Sequence, residues 1–280
     1  MNFTRRGFVL SACAALPAAA KSYGFKIGVT DWNLRQTGKL EAVGLAKRLG
    51  FAGVQVSLGR DAVDNKLPLD NDEVIRKYIA EAKTQGIKLN GTCLDILHVN
   101  YLKNDKLGQK WVADSIPITK KLGIQVILLP FFGKGALQTK EEMDYVGDAL
   151  REIAPAAEKA GVILGLEDTI SAEDNVRIMA RSRSKAVLTY YDVGNSNRAG
   201  FDVIKEIRWL GKKRICQMHL KDNPGYLGDG KIDFIGVTKA MRDIGFEGYA
   251  NLETDSPSKN VEADMKKNLT YLMKVLEGRG

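Results

Sequence analysis

Val162-Ile163-Leu164-Gly165-Leu166-Glu167 reads as one buried strand, an unbroken apolar run closed by a carboxylate. It does not alternate apolar with polar residues, so both of its faces would be covered, as in a parallel sheet with helices packed outside. The form returns three times downstream: Thr189-Tyr190-Tyr191-Asp192, Ile215-Cys216-Gln217-Met218-His219 and Tyr249-Ala250-Asn251-Leu252-Glu253. The closing residues Glu167, Asp192, His219 and Glu253 follow one another at intervals of 25, 27 and 34 residues, about one strand and one helix each. In a closed parallel barrel such strand ends converge on one face of the molecule. Three carboxylates and one imidazole gathered there repel one another unless a cation lies between them. The pattern therefore predicts a divalent metal site.

Outward from these runs the chain keeps the same rhythm. Strands are expected at residues 25–30, 53–58, 88–93, 125–130, 162–167, 186–192, 214–219 and 248–253. Between them, apolar residues recur at helical spacing, as in Leu40, Val43, Ala46 and Leu49, or Met143, Val146, Leu150 and Ile153. A glycine (Gly50, Gly86, Gly123, Gly161, Gly245) often stands where such a helix would end. Eight units of this kind predict a single (β/α)₈ TIM barrel over residues 21–280. The rival, an open doubly wound sheet, wants a glycine-rich phosphate loop after the first strand, and none is present.

The first twenty residues do not fit this rhythm. Thr4-Arg5-Arg6-Gly7-Phe8, an apolar stretch to residue 20 and the small residues Ala18-Ala19-Ala20 have the form of a cleavable twin-arginine signal, with a periplasmic destination. Leu10-Ser11-Ala12-Cys13 also fits a lipoprotein box, but cutting at Cys13 leaves an apolar core of about five residues where roughly seven are needed. Losing Arg5 and Arg6 lowers the formal charge from +8 to +6. The remaining Lys and Arg are spread along helical stretches such as 76–88 and 205–214, which reads as solvated helix faces and not as a nucleic-acid surface. No other segment approaches the apolar length of a membrane span. After cleavage Cys93 and Cys216 remain, in strands from opposite sides of the barrel, so no disulfide is expected.

A lone Asp or Glu after a strand is most often a helix N-cap, and a lone His in an apolar run is most often a satisfied core residue. Four such residues at the same end of consecutive strands are not explained by capping. A donor set of three oxygens and one imidazole favours Mn²⁺, Co²⁺ or Mg²⁺ over a thiolate-bound zinc, although Zn²⁺ is not excluded.

Gly165-Leu166-Glu167-Asp168, Tyr191-Asp192-Val193-Gly194-Asn195, His219-Leu220-Lys221-Asp222 and Leu252-Glu253 resemble the last four strand ends of the xylose isomerase-like sugar isomerase/epimerase superfamily. Gly228-Asp229-Gly230-Lys231-Ile232-Asp233-Phe234 and Gly245-Phe246-Glu247-Gly248 are similar to its segment between strands seven and eight, so the likeness runs over roughly residues 25 to 278. The resemblance implies one metal ion held by Glu167, Asp192, His219 and Glu253. As in the ketose 3-epimerases of this group, it makes Glu167 and Glu253 the catalytic acid/base pair. The chemistry is coherent on its own terms. A cation chelated by a carbonyl oxygen and a neighbouring hydroxyl stabilises the enediolate left by proton removal; one carboxylate takes the proton and a second returns it on the other face.

Trp32, His98, Glu173, Asn195 and Lys221 are the candidate substrate contacts, each with an ordinary alternative in packing, capping or solvation, and Phe131 and Phe132 either line the cavity or pack under a loop. Two departures from the epimerase pattern stand out. Asn195 falls where those enzymes carry a second histidine, and Gly225 where they carry an arginine. The expected function is a metal-dependent isomerase or epimerase of a sugar or keto-sugar derivative, neutral or oxidised and not phosphorylated. A lyase or dehydratase on the same platform, with Lys221 or His98 as acid, is the enzymatic alternative; an exported, non-catalytic carbohydrate-binding protein is the other. An apurinic-site endonuclease is disfavoured, because its zinc cluster needs many histidines and this chain has only His98 and His219. A small carbohydrate is the expected partner, with no nucleic acid and no stable membrane association. Related barrels also raise the expectation of a homo-oligomer.

Overall fold

The computed structural model describes residues 23–222 and 224–279. The segment read as an export signal, with Arg5, Arg6 and Cys13, lies outside the described residues. Among those described, eight parallel strands pair in chain order and the last closes on the first. They are β1 (Phe25–Thr30), β2 (Gly53–Ser57), β3 (Lys88–Cys93), β4 (Val126–Pro130), β5 (Ile163–Glu167), β6 (Val187–Asp192), β7 (Ile215–Leu220) and β8 (Gly248–Leu252). Around them lie α1 (Glu41–Leu49), α2 (Asp72–Gln85), α3 (Lys106–Lys121), α4 (Lys140–Ala160), α5 (Ala172–Ser182), α6 (Val193–Arg198), α7 (Val203–Leu210), α8 (Phe234–Asp243) and α9 (Val261–Leu276). The expected barrel is present, with strand ends displaced by a residue at most. None of these helices is long and apolar enough to cross a membrane, and Cys93 and Cys216 are free thiols.

The helices start and stop where their sequences dictate. Thr139 and Glu142 form a reciprocal capping box at the start of α4, and Gly161 ends it in a left-handed conformation (φ 70°) that a side chain would strain. Their inward faces meet the outward faces of the strands in one apolar layer, where Val43, Ile75, Trp111, Val146, Leu150, Ile178, Ile207, Val237 and Leu272 are all buried.

The barrel interior is different, and here the sequence reading was incomplete. Gln55, Asn90, Tyr190, Gln217 and Asn251 fill it with hydrogen-bonded polar groups. Asn90 Nδ2 donates to Asn251 Oδ1 (2.6 Å), Asn251 Nδ2 to Tyr190 Oη (2.8 Å), and Tyr190 Oη to Gln55 Oε1 (2.9 Å). Gly28 makes room, since a Cβ there would overlap both Asn251 Oδ1 and Asn90 Nδ2. Strands read as apolar on both faces are thus apolar outside, while inside this polar network lies beside a smaller apolar cluster of Cys93, Val126, Leu128 and Tyr190. The polar members were visible as single residues within apolar runs, and Gln55 in Gly53-Val54-Gln55-Val56-Ser57 is the plainest.

Candidate metal centre

Glu167 and Asp192 are the last residues of β5 and β6, His219 lies one residue before the end of β7, and Glu253 follows β8 directly. Each offers one donor atom, and the four atoms all lie within 4.8 Å of one another. An ion about 2.1–2.3 Å from each donor spaces opposite donors by roughly twice that, so small side-chain adjustments close the shell. His219 Nδ1 is the hub: Glu167 Oε1 is 2.8 Å away, Glu253 Oε2 3.3 Å and Asp192 Oδ2 3.7 Å. Its other nitrogen, Nε2, lies 2.9 Å from Gln55 Oε1 in the barrel interior. A carbonyl oxygen can only accept, so Nε2 carries a proton. Despite burial, Glu253 and Glu167 hold the ring protonated on Nδ1 as well, and a dication that displaced this second proton would meet an Nδ1 lone pair among three carboxylates. That arrangement is repulsive without a positive charge and is the usual one when a histidine ligates a metal. The residues present therefore fit a divalent cation.

Asp192 has two functions at once. Its Oδ1 accepts from Asn195 N (2.8 Å) and caps α6, while Oδ2 faces the centre. The capping reading of this residue is met by Oδ1, and Oδ2 stays available as a candidate ligand. Tyr190 and Trp32 hold the imidazole edge-on at 4.6 and 5.8 Å between ring centres. Trp32 Nε1 also donates to Glu253 Oε1 at 2.9 Å.

Lys221 brings a fixed positive charge to the same oxygens. Its Nζ is 2.7 Å from Asp192 Oδ2 and bonds Glu253 Oε2. Gly194 allows this, because a Cβ there would overlap the lysine stem. Burial opposes the ammonium, but Asp192 and Glu253 outweigh it and hold Lys221 protonated. The two glutamates part company as a result. Burial pushes Glu167 up to about 8. Burial acts on Glu253 as well, yet Lys221 and His219 overcome it and keep that carboxyl well below the usual range. A dication among them would lower Glu167 too.

The centre opens into a cleft of ≈ 760 Å³ at the C-terminal mouth of the barrel. Of the five residues expected to touch substrate, Trp32, His98, Asn195 and Lys221 line this cleft. Asn195 Nδ2 is buried with no hydrogen-bond partner among the described residues, a spare donor facing the site. Phe132 lines the cleft and stacks on His98, whereas Phe131 is fully buried behind it. Glu173 is not brought to this site. It is exposed in the first turn of α5, where a carboxylate complements the helix dipole, and it borders a separate hollow beside Phe201 and Trp209. Sequence reasoning missed Gln55, Ser57 and Asp95, together with Arg60 and Arg198 at the rim. Asp95 carried a faint signal, since it stands two residues past the end of a strand.

Residues 43–275 match the family described as Xylose isomerase-like TIM barrel. The chain belongs to that family. It is 29% identical over 153 residues to the uncharacterised protein MJ1311 of Methanocaldococcus jannaschii, a match covering 49% of this chain and only 50% of that protein. It is 24% identical over 204 residues to the 2-epi-5-epi-valiolone 7-phosphate 2-epimerase of an Actinoplanes species, covering 71% of this chain and 73% of that one. Among solved structures, an L-ribulose 3-epimerase superposes with a TM-score of 0.75 at 18% identity, covering 91% of this chain and 95% of the other, which shows a shared fold.

Proposed function

We propose that the chain is a divalent-metal-dependent isomerase or epimerase acting on a sugar or keto-sugar derivative. One observation carries the reading: three carboxylate donors gather round His219 Nδ1, the fourth donor, while Gln55 occupies the other ring nitrogen. Glu167, Asp192, His219 and Glu253 would hold the ion, and Mn²⁺ suits three oxygens and one imidazole best. Bound there, a dication polarises the substrate carbonyl and so acidifies the neighbouring C–H bond.

The remaining work falls to the protein's own groups. Glu167 and Glu253 enter from β5 and β8 and border one cleft. One takes the proton from carbon and the other returns a proton on the opposite face. Lys221 and His219 keep Glu253 anionic, as a base requires, and a bound dication would keep Glu167 anionic until it takes up a proton from carbon. Trp32 keeps Glu253 in place, and Asn195, which borders the cleft with an unpartnered buried amide N–H, would reach a substrate oxygen after a small side-chain rotation. The two named epimerases that the chain resembles support a carbohydrate-type substrate. The twin-arginine pattern in residues 1–20 supports delivery to the periplasm as a folded, loaded chain.

The reading is tested by incubating the Mn²⁺-loaded protein in D₂O with a panel of ketoses and keto-glycosides and following carbon-bound hydrogen by NMR. Exchange at a carbon next to the carbonyl, abolished by a chelator and restored by Mn²⁺, is the expected outcome. A protein that binds the metal and exchanges no carbon-bound hydrogen in any of these compounds rules it out.

A further inference from the structure

The mouth of the barrel carries a second carboxyl group with a different setting. In the closed strand order β3 lies diametrically across from β7, and β2 across from β6. Asp95, two residues beyond β3, and Ser57, the last residue of β2, therefore face the His219 and Asp192 side across the cleft that all these elements border. Among the described residues Asp95 has no lysine or arginine partner. Ser57 Oγ accepts from Gly59 N at 3.1 Å and gives its single proton to Asp95 Oδ2. Oδ2 is thus fixed as an acceptor, and the proton of a neutral Asp95 belongs on Oδ1. In the ionised acid that oxygen accepts from the Cys93 thiol at 3.5 Å, in the neutral acid the thiol sulfur would be its acceptor, and both residues line the cleft. Burial raises the Asp95 carboxyl above its ordinary range, with Ser57 and His98 opposing, so a proton is available there nearer neutrality. The two acids named from the sequence are less apt. Lys221 is tied to Asp192 and Glu253 and gives up its proton reluctantly, and burial pushes His98 towards its neutral form.

We propose that Asp95 is a general acid that protonates a leaving oxygen of the substrate, giving this centre a β-elimination activity besides epimerisation. The inference rests on the proton abstraction proposed above. Glu167 or Glu253 removes the proton next to the carbonyl. The electron pair of that C–H bond becomes a C=C bond to the adjacent carbon as the latter's C–O bond breaks. The Asp95 proton goes to the departing oxygen, which leaves as water or an alcohol; the glutamate then releases the proton it took from carbon to solvent, and the Asp95 carboxylate regains one from solvent. No oxidant or reductant is consumed.

Two 3-keto-β-D-glucopyranosides test the assignment, one with a methyl and one with a 4-nitrophenyl aglycone. Methoxide needs a proton in order to leave, whereas nitrophenolate does not. With the Mn²⁺-loaded full chain both should be eliminated. Asp95→Asn should lower methanol release about 10²–10³-fold, and nitrophenolate release and hydrogen exchange at carbon each by less than about tenfold. A purely structural role would depress both leaving groups alike. Ser57→Ala gives the same signature in weaker form, about tenfold on methanol alone, and stands in if D95N does not fold. Equal losses for the two glycosides, or no loss, overturn the role of Asp95. Carbon exchange by the wild type without elimination from either glycoside overturns the activity and leaves the epimerase reading standing. A wild type that does neither defeats both.

Discussion

The two halves of the barrel mouth use the same side-chain chemistry for different ends. On the half built from β5 to β8, Glu167, Asp192 and Glu253 are gathered round His219 with Lys221 against two of them, so charge is answered by charge. On the half built from β1 to β4, Asp31 and Asp95 form no ion pair with a lysine or arginine among the described residues. Asp31 Oδ2 accepts from Ser57 N and Gly38 N at 2.9 Å each, and Asp95 leans on the Ser57 hydroxyl. Neutral donors answer a carboxylate less completely than a fixed positive charge, and burial then favours the protonated acid. On the proposed reading, one half of the mouth would take a dication and the other a proton.

The largest break in this contrast comes from removing a ligand. Glu253→Gln deletes one donor and one base while keeping the shape. It should reduce bound Mn²⁺ under dilute conditions to a small fraction of the wild-type content, read by elemental analysis. Carbon-hydrogen exchange should fall at least about 10³-fold. Asp95→Asn should leave the metal content unchanged. A glutamine variant that retains both metal and exchange would show that Glu253 belongs to neither function.

The same contrast explains what the sequence made legible. The ligand half could be read because each donor closes an apolar run: the side chain that ends a strand points into the mouth, and strand ends recur at a nearly fixed interval. Glu167 and His219 needed no knowledge of loops. Asp95 sits past its strand in a short 3-10 turn, and only folding of Asp95–His98 brings it to the cleft. Gln55 was hidden in another way. Its function depends on β7 across the barrel, and no local pattern announces a contact between residues 164 positions apart. Glu173 erred in the opposite direction, since its first-turn position in α5 explains it fully without any substrate.

Gln55 joins the two halves, and changing it sharpens the comparison. Its carbonyl oxygen keeps a proton on Nε2 of His219 and so leaves Nδ1 as the nitrogen that would meet the proposed ion. Gln55→Leu frees the ring to place its proton on either nitrogen and strands Nε2 in an apolar wall. Mn²⁺ affinity measured by titration calorimetry should fall about 10–100-fold, as for other partners of metal-bound histidines. Gln55→Glu accepts the same hydrogen bond and should recover most of the loss. Wild-type affinity in the leucine variant would mean that His219 is oriented by Tyr190 and Trp32 alone.

The proton-holding half has its own, smaller signature in stability. Asp31 is fully buried, its Oδ1 has no partner among the described residues, and burial lifts its carboxyl from 3.8 to about 7. The folded chain therefore retains a proton that the unfolded chain releases near pH 4. Stability linked to Asp31 is complete below that pH, declines as pH rises towards 7, and is flat beyond it. A shift of this size corresponds to at most about 4 kcal/mol. Asp168, also raised to about 7 by burial, adds a slope of the same sign, so the informative quantity is the difference between wild type and variant. Asp31→Asn keeps a carbonyl for Ser57 N and Gly38 N and cannot ionise. Compared with wild type in metal-free thermal melts, it should gain stability at pH 8 by roughly 1–3 kcal/mol and little at pH 4.5. A gain at pH 4.5 as large as at pH 8 would mean that Asp31 is ionised throughout, and the division of the mouth into a cation side and a proton side would not extend to this residue.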